Sequence, residues 1–352
     1  MEVSKKQYYS IDIVKIIMAI IVVSIHIPPF REGTFIYYLR GTTIGGLAVP
    51  FFFVVSAYLL FSKIKNNPQN SGEIVKKYLL RIFKLYLLWS IIYLPCFFVR
   101  SYTGHYDTVT LKALMGEALF YIKSFFLDTS FMHLWYLNSL IFTVLILYFM
   151  SKKLSDKTIL AIGILLFTVY QAGELLPEKI PHINLAIEHF PEIISNFIKT
   201  SFICTALGAL AANSKTLNRK TSVILFSAFF AVYIGFTAYN YYILKNDSLI
   251  SLFTSVFRLI IPYFILQICL NINLSYKPIY PYLRKISILI YFTHFLLIKE
   301  AFAFIGEITG IEIFVTCNWF RFLFDLIFAF AVSNLILFLQ NKKGFRWMRH
   351  LY

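Results

Sequence analysis

Ten runs of about 20 mostly apolar residues divide this chain, and a run of that length is what an α-helix needs to cross the hydrocarbon core of a bilayer. They fall near residues 10–29, 41–62, 78–99, 132–150, 158–173, 196–212, 221–243, 249–271, 285–305 and 313–339. Inside lipid every backbone N–H and C=O must find its partner within the protein, which restricts such a chain to helices. Composition agrees: 59% of the 352 residues are hydrophobic and 14% charged, against about half and a quarter in soluble domains. The expected fold is an all-α integral membrane protein, a bundle of about ten transmembrane helices in one membrane domain over residues 1–352. The fifth and sixth runs are short enough to be buried among neighbours or partly re-entrant.

The net charge of +16 would point to nucleic acid in a soluble protein, but here Lys and Arg are scattered between apolar runs rather than gathered on one surface, so no nucleic-acid partner is expected. Their distribution orients the bundle. With the N-terminus inside, the cytoplasmic segments hold 19 cations: Lys5, Lys6, Lys63, Lys65, Lys76, Lys77, Lys152, Lys153, Lys157, Lys215, Arg219, Lys220, Lys277, Arg284, Lys285, Lys342, Lys343, Arg346 and Arg349. The outer loops hold seven (Arg31, Arg40, Arg100, Lys112, Lys123, Lys179, Lys245) together with 11 of the 17 acids. The excess of inner cations places both termini in the cytoplasm. Phe (38) and Tyr (24) far outnumber Trp (4), and many stand near the ends of the runs, as headgroup anchors do. In the outer loop 100–131, Leu111, Leu114, Met115, Ala118, Leu119, Ile122, Phe125 and Phe126 recur at helical spacing opposite Lys112, Glu117, Lys123 and Ser124, the pattern of a helix lying on the outer leaflet.

Cys96, Cys204, Cys269 and Cys317 fall in or beside apolar runs with no C-x-x-C and no neighbouring His, so they read as packing residues and no metal is expected. The first run is long enough to span and lacks a clear small-residue cleavage site, so it reads as a retained helix rather than a signal peptide.

Charged groups inside a membrane are costly and therefore informative. Asp12 and Lys15 lie one turn apart near the inner end of the first run, and His26 follows Lys15 by 11 residues. Eleven residues are close to three whole turns, which puts Lys15 and His26 on one face roughly 16 Å apart. One reading is a snorkelling Lys and a His satisfied by a neighbouring helix; the other is an inner anion anchor below a base. Arg81 and Lys84, one turn apart at the inner end of the third run, suit phosphate binding or topology equally. Arg258 lies near the middle of the eighth run with no acid within one turn. His294 falls near mid-depth in the ninth, and Arg321 and Asp325 in the tenth are spaced i, i+4, so that they neutralise one another. His133 and Trp135 mark the outer entrance of the fourth.

Taken in order, five segments resemble the acyltransferase 3 family of membrane acyltransferases: YSIDIVKIIMAIIVVSIH (Tyr9 to His26), VPFFFVVSAYLLF (Val49 to Phe61), KKYLLRIFKLYLLW (Lys76 to Trp89), HLWYLNSLI (His133 to Ile141) and SILIYFTHFLLI (Ser287 to Ile298). No single motif is specific, but the ordered set covers nearly the whole chain. VPFFF, KLYLLWSIIYLP and HLWYL are similar to the branch that includes the membrane domain of VanT-type serine racemases, without a racemase domain following. The family usually has Arg at Lys15, Gly at Ala57 and Pro at Asn138, while His26 is retained.

The resemblance implies transfer of an acyl group, most often acetyl from acetyl-CoA, to a hydroxyl on an extracytoplasmic envelope glycan or lipid-linked acceptor, by a multi-pass protein of the cell membrane. It implies that Lys15, Arg81 and Lys84 hold the CoA phosphates, that His26 is the general base, that Arg258 or His294 stabilises the oxyanion, and that His133 and Trp135 meet the acceptor. Two other readings stand beside it: a transporter of a small polar solute such as serine, since buried His, Arg and Asp mark transport pathways equally well, and a catalytically inactive relative.

Overall fold

The computed structural model describes residues 7–105, 111–175, 177–244, 248–296, 310 and 313–352. Among them the chain is mostly helical, with no strand. The principal helices are α1 (Tyr9–His26), α2 (Gly45–Asn66), α3 (Ser71–His105), α4 (Leu111–Leu127), α5 (Trp135–Ser151), α6 (Asp156–Leu175), α7 (Phe202–Asn213), α8 (Arg219–Tyr239), α9 (Ser248–Leu270), α10 (Ile279–Thr293) and α11 (Asn318–Leu339).

Nine segments among the described residues are long and apolar enough to cross a membrane, against the ten expected. The difference lies in the ninth run: α10 and a short 3-10 turn (His294–Leu296) cover its first part, while 297–305 lie outside the described residues. The fifth run is a full 20-residue helix, and the sixth joins Glu192–Asn196, a π-helical turn (Phe197–Ser201) and α7 into one 22-residue span, so neither is short. The helix expected in the outer loop is α4; its Leu114, Met115, Leu119, Phe120, Ile122 and Phe126 are exposed. Ser124 departs from the expected polar face and is buried.

The contacts gather into two compact units, with the division falling inside α2 and α7. The first unit holds α1, the start of α2, and α8 to α11. Its core joins Ala19 and Val23 of α1, Ile286 and Ile290 of α10, and Phe322 of α11, and a second cluster joins Leu47, Tyr233 and Ile261. The second unit holds α3 to α6 and most of α7. There α3 meets the loop before α5 through Tyr93 stacked on Phe131 (4.6 Å) and a Ser90–Ser130 hydroxyl pair at 2.6 Å.

Lipid supplies no hydrophobic drive for one helix to meet another, so packing and interhelical hydrogen bonds decide the pairing. Hydroxyl pairs recur accordingly: Thr43 with Thr237 (2.7 Å) and Thr293 with Ser333 (3.3 Å) in the first unit, Thr143 with Ser201 (2.7 Å) in the second. Cys204 and Cys269 are buried free thiols and Cys317 is a half-buried one, consistent with packing.

Candidate functional site

The first unit brings two of the sequence-predicted residues together. His26 is the last residue of α1 and His294 the first beyond α10, and their rings stand 5.3 Å apart, tilted by 35°. Phe295 lies edge-on to His26 at 4.8 Å and closes the third side. His26 is half-buried, whereas His294 is only 1% exposed.

What holds the two helices in this register sits at the other end of α1. Arg284 of α10 grips Asp12 with two parallel bonds, Nε to Oδ1 at 2.9 Å and Nη2 to Oδ2 at 2.7 Å, the bidentate geometry that only Arg supplies. Between this fork and the histidines, Ala19 and Val23 pack on Ile286 and Ile290. Small and β-branched side chains on α1 permit that approach.

His294 Nδ1 lies 3.1 Å from the carbonyl oxygen of Ile290. A carbonyl only accepts, so Nδ1 carries the hydrogen, and the neutral ring then presents Nε2 as an acceptor. In that form His294 is a base; it donates from Nε2 only when protonated.

The C-terminal end of α1 has a cation that the sequence reading counted only as a loop charge. Arg40, buried in the π-helical segment Leu39–Ile44, donates from Nη1 to the carbonyl of Ser24, one of the C-terminal carbonyls of α1 that the helix itself leaves unsatisfied. Its guanidinium also lies over the Tyr37 ring at 5.0 Å. The loop that follows His26 is pinned in turn by Asn318, whose Nδ2 donates to the Phe30 carbonyl at 3.0 Å, and by Trp319 edge-on to Phe30 at 5.1 Å. His26 thus stands on a helix end fixed from two sides.

Arg258 lies on α9, half-buried, with Nη2 donating to Ser255 Oγ at 2.6 Å. Its stem crosses Gly46 of α2, where a Cβ would fall 2.3 Å from Arg258 Cδ and 3.4 Å from the Tyr233 hydroxyl. Glycine is what admits the Arg258 stem there. Lys15 is half-buried on α1, three turns before His26 as its spacing predicts.

Asp325 corrects the expected ion pair with Arg321. Arg321 Nη2 turns back to Asn318 Oδ1 in the first turn of α11. The Asp325 carboxylate is 0% exposed, and neither oxygen has a hydrogen-bond partner among the described residues. It belongs to the buried stripe of α11 with Phe322, Ala329, Ser333 and Ile336.

The second unit carries the remaining candidates. Arg81 and Lys84 lie one turn apart on an exposed face of α3. His133 lies in the turn just before α5 and is buried, edge-on to Tyr93 at 4.8 Å and to Phe131 at 5.8 Å; Trp135 opens α5 beside it, half-buried. Asn138, where proline is usual, donates to the Asp128 carbonyl at 3.0 Å and ties the α5 start to the preceding loop. Ala57 is fully buried on α2. Among the described residues no cluster of His, Cys, Asp and Glu has the makings of a metal site.

Residues 8–338 match a family model described as an acyltransferase domain. Among curated proteins, an amino-acid racemase of Enterococcus faecalis is 25% identical over 354 residues, covering 96% of this chain and 47% of the relative. A second amino-acid racemase of that organism is 27% identical over 256 residues, 69% of this chain and 34% of the relative. A serine/alanine racemase of Enterococcus gallinarum is 26% identical over 256 residues, 68% and 34%. The chain therefore matches about half the length of these relatives or less. No solved structure matches it at a significant level.

Proposed function

The chain belongs to the acyltransferase 3 family of integral membrane acyltransferases, and on that premise we propose that it transfers acetyl from acetyl-CoA to a hydroxyl of an extracytoplasmic envelope glycan or lipid-linked acceptor. The observation that carries this reading is the paired His26 and His294 at the ends of α1 and α10, 5.3 Å apart. The donor enters from the cytoplasm, the side to which the inner excess of cations assigns both termini. Lys15 supplies an ammonium for its phosphates as a point charge, without the bidentate fork an Arg would offer.

His26 is the general base. It takes the proton of the acceptor hydroxyl as that oxygen attacks the acyl carbon, and returns it to the departing CoA sulfur as the thioester bond breaks. Neutral His294, its Nδ1 hydrogen committed to Ile290, presents Nε2 as an acceptor beside His26 and shares the proton load, and Arg258 is the donor suited to a developing oxyanion. Asn138 is accommodated by its bond to Asp128, so that departure from the usual family pattern does not by itself argue for an inactive protein.

The test is the O-acetyl content of envelope glycans in wild type, a deletion, and His26→Ala and His294→Asn variants at matched membrane levels. Asn keeps a donor near Nδ1 and removes Nε2. Both variants are expected to lose activity by 10²-fold or more, and unchanged acetylation in the deletion strain would sink the assignment.

One other reading is that this membrane protein handles an amino acid such as serine or alanine as a transporter; it rests on the buried His, Arg and Asp of the bundle and on relatives named as amino-acid and serine/alanine racemases. Uptake of labelled serine that disappears in the deletion strain, with acetylation unchanged, would establish it instead.

A further inference from the structure

Between α3 and α5 the second unit holds a groove of about 390 Å³, within the range of small-ligand pockets. Its walls are apolar: Val75, Leu79 and Phe83 on one side, Ile141, Leu145 and Phe149 on the other. The two helix regions meet at both ends of it. At one end Tyr93 stacks on Phe131 and Ser90 bonds Ser130; at the other Ser71 Oγ reaches the Tyr148 hydroxyl at 3.4 Å. Leu80, Phe83, Leu145 and Phe149 are 41–57% exposed along the open side, so the groove faces the lipid.

Its length and its charges identify the occupant. From Gly72 to Phe83 the wall rises 11 residues, about 16 Å along α3, which is half of the roughly 30 Å hydrocarbon core and so the depth of one leaflet. Lys76 lines the groove near the Gly72 end; Glu73, one turn away, pairs with Lys77 at 3.0 Å and also feels the charge of Lys76. Across from it Lys152 lies over the ring of Tyr148, itself a lining residue, at 4.4 Å. Lys76 of α3 and Lys152, the residue that follows α5, therefore stand at the same end of the groove. Lys63 and Lys65 end α2, Lys153 follows α5 and Lys157 lies in the first turn of α6, all on that same side.

We infer that this groove binds one acyl chain of an anionic phospholipid from the lysine-rich leaflet, with the headgroup phosphate held at Lys76 and Lys152. A chain lying in the groove covers its exposed apolar wall to leaflet depth, and the negative headgroup meets the two ammonium groups where the chain ends. A zwitterionic lipid satisfies the walls equally but forfeits the net attraction at the mouth, worth about fivefold in occupancy for each lysine near the surface.

The experiment is native mass spectrometry of the full chain extracted from nanodiscs containing equal parts phosphatidylglycerol and phosphatidylcholine of matched chains. Wild type is expected to retain one phosphatidylglycerol in preference, by tenfold or more. Lys76→Gln combined with Lys152→Gln, which leaves the walls intact, is expected to bring the ratio close to unity. Leu145→Trp, which fills the groove, is expected to remove the retained lipid of either kind. Equal retention of the two lipids by wild type, or an undiminished phosphatidylglycerol adduct in Leu145→Trp, overturns the proposal. Neither readout depends on acyl transfer.

Discussion

The fork between Asp12 and Arg284 carries a prediction whose sign depends on which partner is removed. The Asp12 side chain is 3% exposed and that of Arg284 41%. Arg284→Ala leaves a carboxylate buried between helices with its counter-charge gone, and breaking a buried pair in this way costs about 3–5 kcal/mol. Asp12→Asn leaves a guanidinium that is already two-fifths exposed and reaches the headgroup layer on its flexible stem. Its loss is that of a charge-assisted hydrogen bond, about 1.5–3 kcal/mol, discounted for solvent screening to about 1 kcal/mol. For a chain of this size 1 kcal/mol shifts the unfolding midpoint by about 2 °C, so Arg284→Ala is expected to fall by about 6–10 °C and Asp12→Asn by about 2 °C. The double variant distinguishes the cause: with the buried charge also gone, Asp12→Asn should partly rescue Arg284→Ala. The assay is thermal unfolding of detergent-purified protein followed by intrinsic fluorescence, at equal protein and detergent concentration. If Asp12→Asn costs as much as Arg284→Ala, or the double variant is the least stable of the three, the burial argument is wrong.

Two other substitutions probe the candidate site. Gly46→Ala places a Cβ 2.3 Å from Arg258 Cδ, so it should reproduce the turnover defect of Arg258→Ala, and the two together should be no worse than either alone; additive losses in an acyl-transfer assay would show that the residues act separately. Asp325→Val replaces a buried carboxyl that has no hydrogen-bond partner among the described residues and should raise stability by about 1–3 kcal/mol. A lower melting temperature would mean that the carboxyl is bonded in the native state.

The helices themselves were legible because their signal is local: an apolar run of sufficient length needs no knowledge of its neighbours. The sequence likewise located α4, since its apolar stripe repeats at helical spacing. Partners were not legible in this way. Arg284 reads as one more cation of an inner loop, and nothing near it in the chain announces that it answers Asp12, 272 residues earlier. Arg40 looks like a charge flanking a span, because its bond to the Ser24 carbonyl exists only once the π-helical turn has aimed it inward. The i, i+4 spacing of Arg321 and Asp325 predicted a pair, but spacing sets only proximity, and Asn318 in the first turn of the helix competes successfully for the guanidinium. His133 stands just before α5, at the start of the fourth run, but its burial was not legible, since the aromatic box of Tyr93 and Phe131 comes from two separate segments.

The separation of 272 residues between Asp12 and Arg284 also sets a schedule for biogenesis. At about 5–20 residues per second, the ribosome completes α10 about 14–54 s after α1 has emerged. Throughout that interval α1 carries an acid whose final counter-ion has not been made. In that interval Lys15, one turn along the same helix, is the cation at hand to offset Asp12, and a chain truncated before α10 would have to insert α1 with that weaker, local partner alone.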